Sequence, residues 1–108
     1  MAHNYKFTGK AFATTAQTSV LTAASGESLI IKSINISNNN SNTPTITLEV
    51  TDTSASVTYK ILNTHALTAN TAEELITKPL ILEETDILKA TMSSTDAADL
   101  TISYLSIT

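Results

Sequence analysis

The sequence contains no cysteine, and all six of its basic residues are lysines. Without cysteine there can be no disulfide bond, no thiolate metal site and no cysteine nucleophile. Without arginine the chain lacks the fork-shaped donor with which proteins usually bind phosphate groups. Ten acidic residues bring the net charge to −4, which argues against duplex DNA or an anionic membrane as a main partner, because both require clustered positive charge.

Glycine and long apolar segments are also scarce. The only glycines are Gly9 and Gly26, so no glycine-rich phosphate loop can form and no nucleotide cofactor is expected. The longest aliphatic run is Leu29–Ile31, far short of the roughly 20 apolar residues that a spanning helix needs. The first residues lack the apolar region of a signal peptide, so no secretory leader is expected.

Threonine and serine dominate what remains, with 20 and 12 of the 108 residues. Threonine, isoleucine and valine favour extended backbone, because branching at Cβ restricts χ1. The length fits one domain with one modest core. Aliphatic residues recur too regularly along the chain for a disordered linker.

Short alternating segments separated by polar turns indicate strands. Thr45–Thr51 alternates cleanly, with Ile46, Leu48 and Val50 on the inner face. Lys32 interrupts the alternation of Ser28–Ser37, which predicts either a bulge or a lysine stem that lies along the edge of the sheet. Strands that recur at roughly 8–12 residues, without helical periodicity, predict an all-β fold: a single jelly-roll-like β-sandwich of about eight antiparallel strands. The predicted strand segments are Tyr5–Ala13, Gln17–Ala23, Ser28–Ser37, Thr45–Thr51, Val57–Leu62, Leu80–Leu82, Ile87–Met92 and Leu100–Ile107. Glu73–Ile76 is either a further short strand or one helical turn.

No catalytic or metal-binding constellation is recognisable, so we expect no enzyme, no cofactor and no metal. His3 and His65 have no ligand partners at helical or hairpin spacing. The carboxylates of the segment Glu83–Asp86 lack the spacing and the glycine of a calcium loop, so a solvated turn is the simpler interpretation, and the same holds for Asp96 and Asp99.

Residues 1–12 differ in character from residues 13–108, the predicted sandwich domain. They contain three of the five aromatic residues, two lysines and no acid, against an otherwise acidic chain. They are either the first strand of the sandwich or an arm that docks on a neighbouring subunit, because aromatic side chains dominate interface energetics when they are buried. The candidate docking residues are Tyr5, Lys6, Phe7 and Phe12.

From Leu29 to Thr108 the chain resembles a family of small bacteriophage virion proteins. The order and spacing of several short segments carry the resemblance. They begin with an aliphatic-aliphatic-Lys-Ser-Ile pattern and end with a Ser-Tyr-Leu strand. In chain order they are Ile30–Asn38, Thr45–Thr51, Asp52–Ser56, Val57–Leu62, Leu67–Thr71, Pro79–Ala90 and Asp99–Leu105.

The resemblance implies a non-catalytic structural protein, located in the virion and made in the cytoplasm of the bacterial host. A capsid decoration (cement) protein is the first expectation, with the major capsid protein as partner. A neck, tail or fibre-associated subunit and a carbohydrate-binding β-sandwich are the alternatives. Open sheet edges with few charges favour a symmetric homo-oligomer, with a trimer as first guess and without nucleic acid or membrane as partners.

Overall fold

A computed structural model describes residues 2–108 as an all-β protein with no helix in that range, hence none that could cross a bilayer. Strand bounds follow in chain order. They are β1 His3–Phe12, β2 Thr18–Thr22, β3 Ser28–Asn38, β4 Thr45–Asp52, β5 Val57–Ala66, β6 Ala72–Glu74, β7 Leu80–Leu82, β8 Ile87–Met92 and β9 Ala98–Ile107.

Two antiparallel sheets pack face to face. One has the order β1-β9-β3, with β6 and β7 both paired to the far edge of β3, and the other has the order β2-β8-β4-β5. Strands β6 and β7 pair with the same edge of β3, so they count as one interrupted strand. The strand order of the two sheets is then that of two interleaved Greek keys. The predicted β-sandwich with jelly-roll topology is therefore confirmed.

The core lies between the sheets and is almost entirely aliphatic. On β4 it takes Ile46, Leu48 and Val50, as the alternation of that strand predicts. The largest fully buried side chains are Phe12, Leu29, Ile31, Ile34, Ile36, Ile46, Leu48, Leu67, Leu82, Leu88, Met92 and Leu100.

A bulge at Lys32 keeps the isoleucines of β3 on the inner face. Ile31 is opposite Tyr104 and Ser33 is opposite Ser103, so Lys32 is an additional residue without a partner on β9. Since successive side chains alternate between faces, one extra residue lets both Ile31 and Ile34 point inward. Of the two alternatives that the sequence predicts at Lys32, the bulge is therefore the one found.

The asparagine-rich segment after β3 closes one end of the sandwich. Asn38 is buried, and its amide donates to the carbonyl oxygens of Asn42 (2.9 Å) and Thr68 (3.1 Å). Asn39 donates to Asp99 and Asn42 donates to Asp96, which ties the loop to the start of β9 and to the residues just before it. The loop is ordered by side-chain hydrogen bonds, as asparagine-rich turns commonly are.

Two segments differ from expectation. Strand β5 continues through a bulge to Ala66, four residues beyond the predicted end at Leu62, so His65 lies in a strand. Within the predicted aliphatic segment Leu80–Leu82, Ile81 is 62% exposed on the outside of its sheet. Strand β5 is longer than predicted because its backbone groups continue to pair with β4. Ile81 is exposed because alternate residues of a pleated strand point to opposite faces, and its neighbours point inward.

Core packing can be tested with a matched pair of substitutions. We expect Ile34→Ala to lower the free energy of unfolding by about 3 kcal/mol, because Ile34 is fully buried and truncation leaves a cavity. The same change at exposed Ile81 is expected to cost about 0.5 kcal/mol or less. Urea denaturation measures both, and equal losses would contradict the burial described.

A strained position on β5 offers a stabilising substitution. Thr64 has φ of 50°, a left-handed conformation that a β-branched residue rarely adopts. Thr64→Asn is expected to raise the free energy of unfolding by about 1 kcal/mol, because asparagine tolerates this region. The control Thr58→Asn, on the same strand outside the left-handed region, should give no gain in the same denaturation experiment.

Candidate docking surface

A row of apolar side chains crosses the outer face of the β1-β9-β3-β7 sheet. The cross-strand partners are Tyr5 with Leu105, Leu105 with Ile30, and Ile30 with Ile81. Residues directly opposite one another share a face, so these four side chains point to the same side. Because Leu29 and Ile31 are buried in the core, that side is the outer one. We call these four residues the outer row.

Among the large apolar side chains of residues 2–108, the two ends of the outer row and Phe7 are the most exposed. Tyr5 is 83% exposed and Ile81 is 62% exposed, while Leu105 and Ile30 are half-buried between them. Contiguous exposed apolar surface of this kind is uncommon on monomers and often marks an interaction site.

Phe7 extends the surface next to Tyr5. It lies two residues further along β1 on the same face, opposite Ser103, and is 69% exposed. Between the two rings is a shallow hollow of about 340 Å³, lined by Tyr5, Lys6, Phe7, Lys32, Ser103 and Tyr104. The bulge that corrects the register of β3 therefore also brings a lysine beside two exposed aromatic rings.

Positive charge gathers on and beside β1. Lys6 and Lys10 are opposite Tyr104 and Leu100, so they lie on the inner side of the sheet, yet both are exposed at its edge. With Lys32 they make three of the six lysines in the chain, and β1 contains no acid. A basic edge on an acidic protein favours an acidic partner.

The sequence predicted that residues 1–12 are either the first strand of the sandwich or a docking arm, and residues 3–12 form the first strand. All ten residues of β1 pair with β9 in continuous register, so an arm reaching away from the sandwich is not what the structure shows. Met1 lies outside the described residues. The prediction that Phe12 is a docking residue is wrong. Its side chain is 1% exposed and packs in the core, where it anchors β1. Tyr5, Lys6 and Phe7 remain on the surface.

The outer row contains three residues that sequence analysis missed: Ile30, Ile81 and Leu105. A signal was present, because Ile30 and Ile81 are the middle residues of the aliphatic runs Leu29–Ile31 and Leu80–Leu82. In a pleated strand the middle residue of three faces away from the other two. When the flanking residues fill the core, the middle one must therefore lie outside.

The carboxylates considered as metal ligands instead order turns. Asp86 is buried and accepts from the backbone N–H of Glu83 (3.0 Å), and Glu84 accepts from that of Gly26 (2.7 Å). Asn42 and Ser94 donate to Asp96, and these hydrogen bonds hold its pKa below the usual range. Across residues 2–108 no group of three or more histidine or acidic side chains is arranged to hold a metal ion.

The histidines are far apart. His3 is exposed at the start of β1. His65 lies 3.0 Å from Glu73 (Nε2 to Oε2), and this contact ties β5 of one sheet to β6 of the other. The contact therefore links the two sheets on the side of the sandwich where β5 and β6 are the edge strands.

Glu27 supports the end of the sheet that carries the outer row. Its carboxylate accepts from the backbone N–H of Ala24 (2.9 Å) and from the buried hydroxyl of Ser106, which lies opposite Asn4 of β1. The hydrogen bond from Ala24 first, then that from Ser106 and the charge of Lys6, hold the pKa of Glu27 below its usual value, although burial opposes the shift.

No protein-family model matches the chain, and no curated protein matches it.

The lowered pKa of Glu27 predicts a pH-dependent contribution to stability. A carboxyl group whose folded-state pKa is depressed stabilises the fold above its unfolded pKa, and this stabilisation is lost as pH falls through the folded value. Glu27→Gln should therefore lower stability at pH 7, and the difference from wild type should shrink below pH 4.5, the ordinary pKa of the group. Thermal unfolding across this range measures it.

Glu83→Gln provides the control for this experiment, because the Glu83 carboxylate accepts no hydrogen bond from residues 2–108 and the substitution is the same. It should leave stability nearly unchanged at both pH values. A Glu27→Gln difference that stays constant from neutral to acid pH would contradict the assignment.

Proposed function

We propose that this protein is a non-catalytic structural subunit of a bacteriophage virion, most specifically a capsid decoration protein. It attaches to the particle through the outer row and the adjoining basic edge of β1. Burial of these side chains against capsid subunits stabilises the particle, because a ligand that binds only the assembled state shifts the equilibrium toward assembly.

The observation that carries this proposal is the outer row with Phe7 beside it. Two aromatic rings and an isoleucine stand exposed on the outer sheet face, and Lys32 lines the hollow beside the two rings. Aromatic side chains on a rigid strand lose little conformational entropy on binding and contribute most of the energy at many protein interfaces. The surface therefore suits contact with another protein.

The fold and the sequence supply the setting. Jelly rolls recur in viral capsid and lectin domains, although a fold by itself does not define a function. The resemblance of residues 29–108 to small virion proteins points to the first of these settings. The proposed partner is the major capsid protein, and a homotrimer is the proposed assembly, since closed symmetry is the usual result of such contacts.

A neck, tail or fibre-associated subunit would use the same surface at a different place on the particle. Copy number separates these positions, because a decoration protein repeats over the whole shell whereas a neck or tail ring contains few copies. Quantitative mass spectrometry of purified particles gives this number.

A carbohydrate-binding module is a second candidate, because Tyr5 and Phe7 flank a hollow on a sheet face and exposed aromatic rings can stack on sugar rings. This candidate requires binding to glycans without any virion protein. Specific hits on a glycan array that disappear in Tyr5→Ala would favour it over the virion proposal.

Truncation of an outer-row aromatic tests the proposed function. Tyr5→Ala is expected to weaken binding to purified particles by about tenfold or more, because the ring is the most exposed side chain of the outer row and would be buried in the contact. The melting temperature should be nearly unchanged, since Tyr5 is 83% exposed. Co-sedimentation with particles measures binding, and calorimetry measures the melting temperature.

Tyr59→Ala is the matched control. Tyr59 is also an exposed tyrosine, at 56%, but lies on β5 at the edge of the other sheet. It should bind particles as wild type does. Equal losses in the two variants, or no particle binding by the wild-type protein, would contradict the proposed function.

A further inference from the structure

Strand β1 has an open edge along its whole length. It is the terminal strand of its sheet and pairs only with β9, over ten residues. Both faces are exposed from His3 to Lys10 except at the half-buried Thr8. An edge strand of this length offers a row of unpaired backbone groups to an incoming strand.

The register shows which backbone groups point to the open edge. Ala2 and Thr108 exchange both backbone hydrogen bonds, at 3.2 and 3.0 Å. In an antiparallel ladder such pairs alternate with pairs that make no mutual bonds, so the even-numbered residues of β1 bond to β9. The N–H and C=O groups of the odd-numbered residues, among them Tyr5, Phe7 and Gly9, therefore face the open edge.

The side chains of β1 determine what an added strand should contain. Lys6 and Lys10 lie four residues apart on one face, while Tyr5 and Phe7 lie on the other. Since opposed residues share a face, the added strand needs acidic side chains opposite both lysines and apolar ones opposite the rings. Its pattern is thus acidic residues at a spacing of four, with apolar residues alternating between them.

A second copy of this chain fits poorly at the same edge. Antiparallel pairing of β1 with another β1 would join the two sheets and bring four lysines onto one face at the junction, with no acid on either β1 strand. Like charges across neighbouring strands destabilise the pairing. The basic edge thus selects a different, acidic strand.

We propose that β1 binds an acidic, extended segment of a partner protein as an added antiparallel strand at its open edge. This inference rests on the proposed function, because the partner would be the virion protein on which the chain docks. The strand bonds the odd-numbered backbone groups, its carboxylates pair with Lys6 and Lys10, and its apolar residues cover Tyr5 and Phe7.

Hydrogen exchange measured by NMR tests the inference with a capped peptide of sequence EVTVEV, which places glutamates opposite Lys10 and Lys6. At saturating peptide, the amides of Tyr5, Phe7 and Gly9 should exchange about tenfold more slowly, whereas the even-numbered amides, already bonded to β9, should not change. The control peptide KVTVKV should bind about tenfold more weakly or not at all.

Gly9→Pro removes one open-edge N–H, so it should abolish peptide binding. The variant should still fold, because proline is tolerated where the N–H of an edge strand faces solvent. Gly9→Ala keeps that N–H, and a Cβ at this position meets only ordinary contacts at 3.7 Å or more, so binding should persist. If Gly9→Pro does not fold, the double variant Lys6→Glu, Lys10→Glu decides, because it should prefer KVTVKV.

Four results would overturn the inference: protection of the odd-numbered amides by concentrated protein alone, equal affinity for both peptides, unchanged peptide binding by Gly9→Pro, or unchanged particle binding by folded Gly9→Pro. The outcome is separable from that of the proposed function. Particle binding that survives in folded Gly9→Pro would leave the docking proposal standing and remove only the added strand.

Discussion

The antiparallel pairing of β3 with β9 is the interaction on which the rest of the structure depends. It joins residues 28–38 to residues 98–107, near the end of the chain, and each of the remaining strands of that sheet pairs with β3 or β9. Its inner face supplies a large part of the core, with Ile34 opposite Ile102 and Ile36 opposite Leu100. The bulge at Lys32 lets this face remain apolar across an irregular sequence.

The two ends of the β3–β9 pair differ in how far the neighbouring β1 side chains are buried. At one end Phe12, Ala98 and Asn38 are buried in register with one another, and the asparagine loop closes the sandwich with hydrogen bonds. Toward the other end, Tyr5, Leu105 and Ile30 face outward in one row. The buried end holds β1 in place, which leaves Tyr5 and Phe7 free to serve another purpose than folding.

Much of the secondary structure was predictable because local patterns carry it. The clean alternation of Thr45–Thr51 identified the buried face of β4. The break in alternation at Lys32 predicted a bulge as one of two alternatives, and the bulge is the one found. The candidate site was only partly predictable. Tyr5, Lys6 and Phe7 were recognised by composition, but Phe12, with the same chemistry, is a core residue. Phe12 lies on the inner face of β1, whereas Tyr5 and Phe7 lie on the outer face. The sequence could not assign these faces, because it left open whether the segment is a strand of the sandwich.

The sequence by itself determined an all-β chain: threonine and isoleucine restrict the backbone to extended conformations, and period-two alternation marks one face of each strand for burial. Only the tertiary structure decided which strands are neighbours. In the jelly roll β1 meets β9 and β2 meets β8, pairings between distant segments that no local pattern specifies. It also decided that Tyr5, Leu105, Ile30 and Ile81, from four separate strands, form one row, because a shared outer face arises only when register aligns them.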